Sequence, residues 1–170
     1  LPRTGAGVRT MISDDVVWLA YAVAYYIVVT DDRAILKESL PFIDGEKLAE
    51  GEHDAFFTPE ASKTTASLYE HCARALDLAV TRSSANGLPL ILGGDWNDGM
   101  NSVGDEGRGE SVWLGWFLLK TLGDFAAVAK TEGDAKHAQA WQKHANVLKR
   151  ALENTAWDGQ WYRRGSFDDG

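Results

Sequence analysis

The sequence lacks most of the features that identify small secreted proteins, membrane proteins and nucleic-acid-binding proteins. Cys72 is the one cysteine, so no internal disulfide can form, and we expect it to be a buried apolar residue on a helix. The longest apolar stretch, Val16 to Val29, is shorter than the roughly 20 residues that cross a bilayer. No signal peptide is recognisable in the sequence. A core helix therefore accounts for the apolar stretch better than a membrane span.

The sequence also has too little positive charge for a nucleic-acid partner. It carries 25 acidic and 17 basic residues, a net charge of -8, whereas a protein that binds the phosphate backbone needs a basic surface. The four histidines show no metal-type spacing, so we expect no metal site. Neither a serine nucleophile elbow nor a glycine-rich phosphate loop is present.

Apolar residues instead recur at helical spacing through most of the chain, which predicts an all-α fold. The first helix is apolar on all sides, which indicates burial, and Ser13 or Asp14 can cap it. A polar loop is expected from Gly45 to Thr58. The other expected helices are a short one from Asp31 or Asp32 to Glu38, one from near Pro59 to Asn86, one opened by Glu110 and Ser111, and one after Gly133 and Asp134. Long helices that alternate between buried and amphipathic are typical of an α/α toroid. An ordinary helical bundle fits the periodicity nearly as well.

One glycine-rich loop combines residues that suit a glycosidic bond. In Asp95-Trp96-Asn97-Asp98, two carboxylates flank an indole and an amide. A carboxyl group beside tryptophan can hold a proton near neutral pH, as a general acid must. Aspartate, asparagine and glycine are also common turn formers, so a purely structural turn is the alternative.

Two further clusters carry sugar-binding chemistry. Arg3, Arg9, Asp14 and Asp15 precede the first helix, and guanidinium and carboxylate groups make directional hydrogen bonds to hydroxyls. The alternative for this cluster is an ion pair that caps the helix. The third cluster places Glu110 close to Trp113, and its alternative is an ordinary helix start.

The loop motifs resemble those of a known enzyme family. Gly93–Asn101 reads Gly-Gly-Asp-Trp-Asn-Asp-Gly-Met-Asn, and with the Gly-Glu-Ser-Val-Trp of Gly109–Trp113 it resembles the glycoside phosphorylases of glycoside hydrolase family 94. The opening Arg3–Thr10, with Ser13–Asp15, is most similar to the family's β-1,2-glucan branch. That branch holds 1,2-β-oligoglucan phosphorylases and the phosphorylase domain of cyclic β-1,2-glucan synthases. The resemblance covers essentially the whole chain, including the closing Trp157–Gly170.

The resemblance implies roles for individual residues. Asp98 is the expected general acid, and Trp96 is expected to line the glucosyl subsite. Arg3 and Arg9 are expected to contribute to sugar binding. Cellobiose-type members have an aspartate where this chain has Thr10, which favours a β-1,2-linked substrate. We count Asp14, Asp95, Glu110 and Trp113 among the substrate-binding candidates, with Asp95 orienting the loop.

The implied mechanism needs one carboxylic acid and no cofactor. Asp98 would protonate the glycosidic oxygen while inorganic phosphate, the co-substrate, attacks the anomeric carbon from the other face. A β-glucoside would then yield α-glucose 1-phosphate. An inverting hydrolase, by contrast, needs a second carboxylate to activate water.

The resemblance also sets expectations for the whole molecule. The family fold is an (α/α)6 barrel, whose closure needs about twice the helices counted here, and the family's phosphate-binding residues lie further along the chain. Residues 1–170 are therefore expected to be a single fragment of the barrel, inactive alone and exposing apolar surface. Its expected partners are an oligosaccharide or β-glucan, phosphate and the rest of the parent polypeptide. A homodimer is possible, and no nucleic-acid partner is expected. The expected location is the cytoplasm, or the cytoplasmic side of the inner membrane within a cyclic glucan synthase.

Two alternatives stay open from the sequence. An inverting β-glucan hydrolase on the same toroid would need a catalytic base, for which Glu110 and Asp14 are the candidates. A non-catalytic glycan-binding or structural fragment would bind oligoglucan without needing phosphate.

Overall fold

The computed structural model describes residues 4–49 and 51–170, with Asp98 described without its side chain. About 47% of the chain is helical. The described α-helices are α1 (Asp15–Thr30), α2 (Leu68–Thr81), α3 (Val112–Thr131) and α4 (Ala135–Ala151). A π-helical segment, Leu152–Ala156, continues α4. The short helix predicted up to Glu38 is a 3-10 helix, Ala34–Lys37.

Helix α3 is the centre of the core. It packs against α1 on one side and α4 on the other, and α2 packs against α1. Leu118, Leu122 and Phe125 of α3 are fully buried, and so is Trp141 of α4. Cys72 is buried in α2, as expected. The structure thus confirms a predominantly helical chain, whereas a closed toroid remains a prediction.

Helix α3 also has the length and apolar composition of a membrane span. More than half of its apolar window is buried among the other helices. A core helix of a soluble protein passes the same test of length and composition, so this helix is weak support for a membrane segment.

Helix α1 is only half buried, which corrects the expectation of a helix buried on all sides. Val17, Ala20 and Ile27 face the core. The opposite side of the helix exposes Trp18, Leu19, Tyr25, Tyr26, Val28 and Val29. The expected apolar surface is therefore present, and it lies on α1.

Within the part of the chain that the structure describes, six short strands accompany the helices, and the all-α prediction did not include them. They form three antiparallel pairs: β1 (Gly7–Thr10) with β3 (Asp54–Phe57), β2 (Ser39–Asp44) with β4 (Glu60–Ser67), and β5 (Glu110–Ser111) with β6 (Gly165–Ser166).

The helix expected near Pro59 begins only at Leu68. The intervening strand β4 contains Thr64 and Thr65, which favour extended backbone, and it pairs with β2. Ser67 then accepts a hydrogen bond from the Glu70 amide, which caps α2 and fixes its start.

Candidate active site

The glycine-rich loop lies against the start of α1. The Gly93 amide donates to the Met11 carbonyl at 3.0 Å. The Ser13 amide and hydroxyl both donate to the Gly94 carbonyl, at 2.9 and 3.0 Å. Gly94 has a φ of 126°, which a side chain would strain. These bonds place the Asp95–Asp98 loop beside Asp14, which precedes α1.

Asp95 anchors the loop to two distant parts of the chain. Its side chain is fully buried and accepts hydrogen bonds from Arg164 Nη2 at 2.6 Å and Ser111 Oγ at 2.6 Å. The Asn97 amide donates to Asp95 Oδ1 at 3.1 Å. Burial opposes ionisation, but these hydrogen bonds outweigh it and hold the pKa of Asp95 below its usual value. The geometry therefore favours the loop-orienting role for Asp95.

Asp98 opens a short helical turn directly after this anchor. The 3-10 helix Asp98–Met100 is capped by Asn97, whose Oδ1 accepts from the Gly99 amide at 3.1 Å. The side chain of Asp98 lies outside the described part of the structure. Its backbone position is set by the capped turn, beside Trp96, which is 60% exposed.

Aromatic rings continue from Trp96 across the ends of two helices. The Trp96 ring lies 5.8 Å from that of Trp113, which lies 5.5 Å from that of Phe117. The Phe117 ring in turn lies 4.5 Å from Trp18. A cleft of about 360 Å³ lies along the Trp113, Phe117 and Trp18 part of this row. Its lining residues are Trp18, Tyr21, Trp113, Trp116, Phe117 and Lys120. The structure thus brings the predicted pair Trp96 and Trp113 together and adds Trp18.

Asp14 presents a buried carboxylate oxygen at the same place. Trp18 Nε1 donates to Asp14 Oδ2 at 2.7 Å, while Oδ1 is buried and has no hydrogen-bond partner among the described residues. Burial, with lesser contributions from the charges of Asp15 and Asp95, outweighs the Trp18 bond and raises the pKa of Asp14. A buried acceptor without a partner is costly, so Oδ1 is suited to a ligand hydroxyl.

Arg9, the arginine of the predicted cluster that the structure describes, is not brought to Asp14. Arg3 lies outside the described residues. The Arg9 guanidinium stacks on the Phe57 ring, 5.1 Å from its centroid, and so packs on strand β3. Thr10, on the other face of β1, donates to Asp15 Oδ2 at 2.6 Å. An ion pair between Arg9 and the helix start is therefore absent from the described residues, and sugar binding by Arg9 stays a prediction.

Glu110 points away from the aromatic row. Adjacent strand residues face opposite sides, so Ser111 reaches Asp95 while Glu110 does not. Glu110 Oε1 accepts from Ser84 Oγ at 2.5 Å and Asn86 Nδ2 at 2.9 Å, and Oε2 accepts from Ser166 Oγ at 2.8 Å. All three donors are protein side chains that hold neighbouring segments together. The geometry therefore gives no support to the prediction that Glu110 contacts the sugar.

Sequence reasoning missed Trp18 and Arg164. The four-residue spacing of Asp14 and Trp18 on one helix face could have indicated their contact. Nothing local pairs Arg164 with Asp95, which is 69 positions away. Across residues 4–49 and 51–170, no three His, Cys, Asp or Glu side chains converge to hold a metal ion.

Comparisons with known proteins agree with the loop motifs. Residues 3–170 match the family model of the glycosyl hydrolase 94 superfamily, catalytic domain. The chain is 60% identical over 169 residues to the cyclic beta-(1,2)-glucan synthase NdvB of Rhizobium meliloti, covering 99% of the chain and 6% of that protein. It is 32% identical to a cellobionic acid phosphorylase of Neurospora crassa, covering 92% of the chain and 18% of the relative. It is 29% identical to an N,N'-diacetylchitobiose phosphorylase of Vibrio furnissii, covering 96% and 18%.

Proposed function

Because the chain belongs to the catalytic-domain family of the glycosyl hydrolase 94 superfamily, we propose that it supplies the general acid, Asp98, of an inverting glycoside phosphorylase. The observation that carries the proposal is the anchored loop. Asp95 is fixed from three sides, Asn97 caps the turn, and the turn presents Asp98 beside the exposed Trp96.

The surrounding residues suit one glucosyl unit. The Trp96 and Trp113 rings offer flat apolar surface for the C–H face of a pyranose. Asp14 Oδ1, which has no hydrogen-bond partner among the described residues, can accept from a hydroxyl. Arg3 and Arg9 are proposed as further sugar contacts. Asp95 and Glu110 then support the site from behind, since each carboxylate accepts three hydrogen bonds from protein donors.

The chemistry follows from one acid and one anionic nucleophile. Asp98 gives its proton to the glycosidic oxygen as the bond from that oxygen to the anomeric carbon breaks. Phosphate oxygen forms the new bond to the anomeric carbon from the opposite face, which inverts its configuration. The products are α-glucose 1-phosphate and a glucan shortened by one unit, and phosphate replaces the base that a hydrolase needs.

The proposed substrate is a β-1,2-linked glucan. Its support is the 60% identity to a cyclic beta-(1,2)-glucan synthase together with Thr10. The chain spans 18% or less of the relatives described above, so the activity, the (α/α)6 barrel and a homodimer are proposals about the whole protein. The proposed location is the cytoplasm, or the cytoplasmic side of the inner membrane.

Phosphorus NMR tests the proposal directly. The full-length polypeptide is incubated with β-1,2-glucooligosaccharides and inorganic phosphate, and the α-glucose 1-phosphate signal is followed. We expect the signal to grow with wild type and to fall by at least about 100-fold with Asp98→Asn, the usual lower contribution of a general acid. This chain by itself is expected to give no signal.

Other outcomes point to other functions. Release of free glucose without phosphate dependence would replace the phosphorylase with an inverting hydrolase, and Asp14 would then be the base to test. Oligoglucan binding that survives Asp98→Asn, with no turnover by wild type, would indicate a glycan-binding role.

A further inference from the structure

We propose that Arg164 is a positioning residue for the general acid, acting through Asp95 on the turn that carries Asp98. The inference rests on the proposed function and extends it to a residue near the end of the described chain. Arg164 is not a catalytic residue in this account, because its described partners are protein groups behind the loop.

The first step is the set of hydrogen bonds from the Arg164 guanidinium to the loop and to Ser111. Its Nη2 donates to Asp95 Oδ1 at 2.6 Å, and its Nη1 lies 3.4 Å from Ser111 Oγ. Ser111 Oγ also donates to Asp95 Oδ2 and accepts from the Leu114 amide, which caps α3. One guanidinium therefore holds both the loop anchor and the residue that starts α3.

The second step is the rigidity of the Arg164 backbone. Its carbonyl accepts from the Val112 amide at 3.2 Å, and the next residue, Gly165, pairs with Ser111 in the β5–β6 sheet. A Cβ at Gly165 would clash with the Glu110 carbonyl oxygen, so the two strands approach as closely as glycine allows. The arginine is thus held from its main chain as well as its side chain.

The third step runs from Asp95 to Asp98. Asp95 Oδ1 accepts from both Arg164 and the Asn97 amide, and Asn97 caps the turn that Asp98 opens. Removal of the guanidinium would leave a fully buried carboxylate without the one ion-pair partner that it has among the described residues. Burial would then raise the pKa of Asp95, and protonation or hydration would loosen its bond to Asn97.

The experiment compares two leaving groups in the full-length polypeptide. Phosphorolysis of a β-1,2-glucooligosaccharide needs a well-placed acid, whereas β-glucosyl fluoride has a better leaving group that needs far less protonation. The variants are Arg164→Met and Arg164→Lys. The matched control is Arg163→Met, which removes the neighbouring, exposed arginine.

We expect Arg164→Met to lower kcat for the oligosaccharide by about 100-fold with KM within about threefold of wild type, because acid placement rather than binding is lost. Fluoride release from β-glucosyl fluoride should fall by only a few-fold. Arg164→Lys should recover about tenfold of the lost kcat, since it restores the charge but not the two-pronged geometry. Arg163→Met should stay within about twofold of wild type for both substrates.

Three results would overturn the inference. An equal loss with both substrates would show general damage to the domain, and unchanged kcat in Arg164→Met would show that the loop does not depend on this residue. A failure of wild type to make α-glucose 1-phosphate from either substrate would overturn the proposed function itself, and the inference with it.

Discussion

Two aspartates of one loop, Asp95 and Asp98, are proposed to have different roles, an anchor and a general acid. Asp95 is sealed from solvent and held as a carboxylate by Arg164 and Ser111. Asp98 opens a capped turn beside an exposed indole. This division matches the separate demands on an anchor, which must stay ionised, and on an acid, which must carry a proton.

The Trp96 ring is expected to contribute to catalysis by contacting the sugar. Truncation by Trp96→Ala should lower kcat/KM for the oligosaccharide by about tenfold, equivalent to about 1.4 kcal/mol of transition-state binding. The ring is 60% exposed, so its loss should barely move the urea midpoint. Trp96→Phe should keep most of the activity because a flat ring remains. Steady-state kinetics of the full-length polypeptide measure the effect.

The control is Trp161→Ala, which removes a similarly exposed indole, 67% accessible, from the C-terminal segment. It should leave kcat/KM unchanged. Equal losses in the two alanine variants would contradict a specific sugar contact at Trp96.

At the scale of elements, a histidine between two aspartates joins α2 to α4. His137 Nδ1 lies 2.5 Å from Asp134 Oδ2, and its Nε2 lies 3.3 Å from Asp77 Oδ2. The bond to Asp134, aided by the charge of Asp77, raises the pKa of His137. The amide and ring of His137 hold the pKa of Asp134 at about 2. The contact between these two side chains therefore favours the charged form of His137 and the ionised form of Asp134.

His144, on the same helix, has the opposite surroundings. Its Nε2 is buried and has no hydrogen-bond partner among the described residues. Burial lowers the pKa of His144, because the charged form cannot be solvated there.

His137 and His144 should make the free energy of unfolding depend on pH in opposite directions. A raised folded pKa means that His137 stabilises fully below its ordinary value of about 6.5 and loses this effect as pH rises through the folded value. His144 destabilises as pH falls below about 6.5, because the unfolded chain then binds the proton more readily. His137→Gln should therefore cost more free energy of unfolding at about pH 5.5 than at about pH 8.5, and His144→Gln should cost less at the lower pH.

Urea unfolding of this chain at the two pH values measures how much each substitution changes the free energy of unfolding. Each variant serves as the other's control. Parallel pH dependence in the two variants would contradict the assignment of opposite pKa shifts.

The elements themselves were largely readable from the sequence. The starts of α3 and α4 follow from Ser111 and Asp134, whose side chains accept hydrogen bonds from the Leu114 and His137 amides. Such caps act within one turn, so a local pattern suffices to predict them. Strands β2 and β4 were missed because their stability comes from pairing with each other across a connecting segment.

At the scale of the whole molecule, the main feature is the uncovered side of α1. Val28 is 81% exposed and Val29 is 65% exposed, and Tyr25 adds an exposed ring to the same helix. An inner helix of a toroid would bury such residues against further helices. We therefore expect the longer polypeptide to cover this surface.

Val28→Glu tests that expectation. In the full-length polypeptide the charge would be buried, and the variant should lose about 1–3 kcal/mol of stability. In this chain alone the residue is exposed, and the urea midpoint should stay close to wild type. Gln142→Glu, on the exposed side of α4, is the control and should be near neutral in both. A neutral Val28→Glu in the full-length polypeptide would show that the surface stays open.

The sequence by itself determined the helical character of the chain, the caps of two helices, the Asp95–Asp98 loop motif and, through that motif, the family. Each of these depends on residues within a few positions of one another, where spacing and side-chain chemistry act directly. Only the tertiary structure decided that Arg164 holds Asp95 and that Glu110 faces away from the aromatic row. Both depend on contacts between segments far apart in the chain. They arise when the glycine-rich loop, the start of α3 and the β5–β6 pair pack together, because packing sets which side of each segment faces its neighbour.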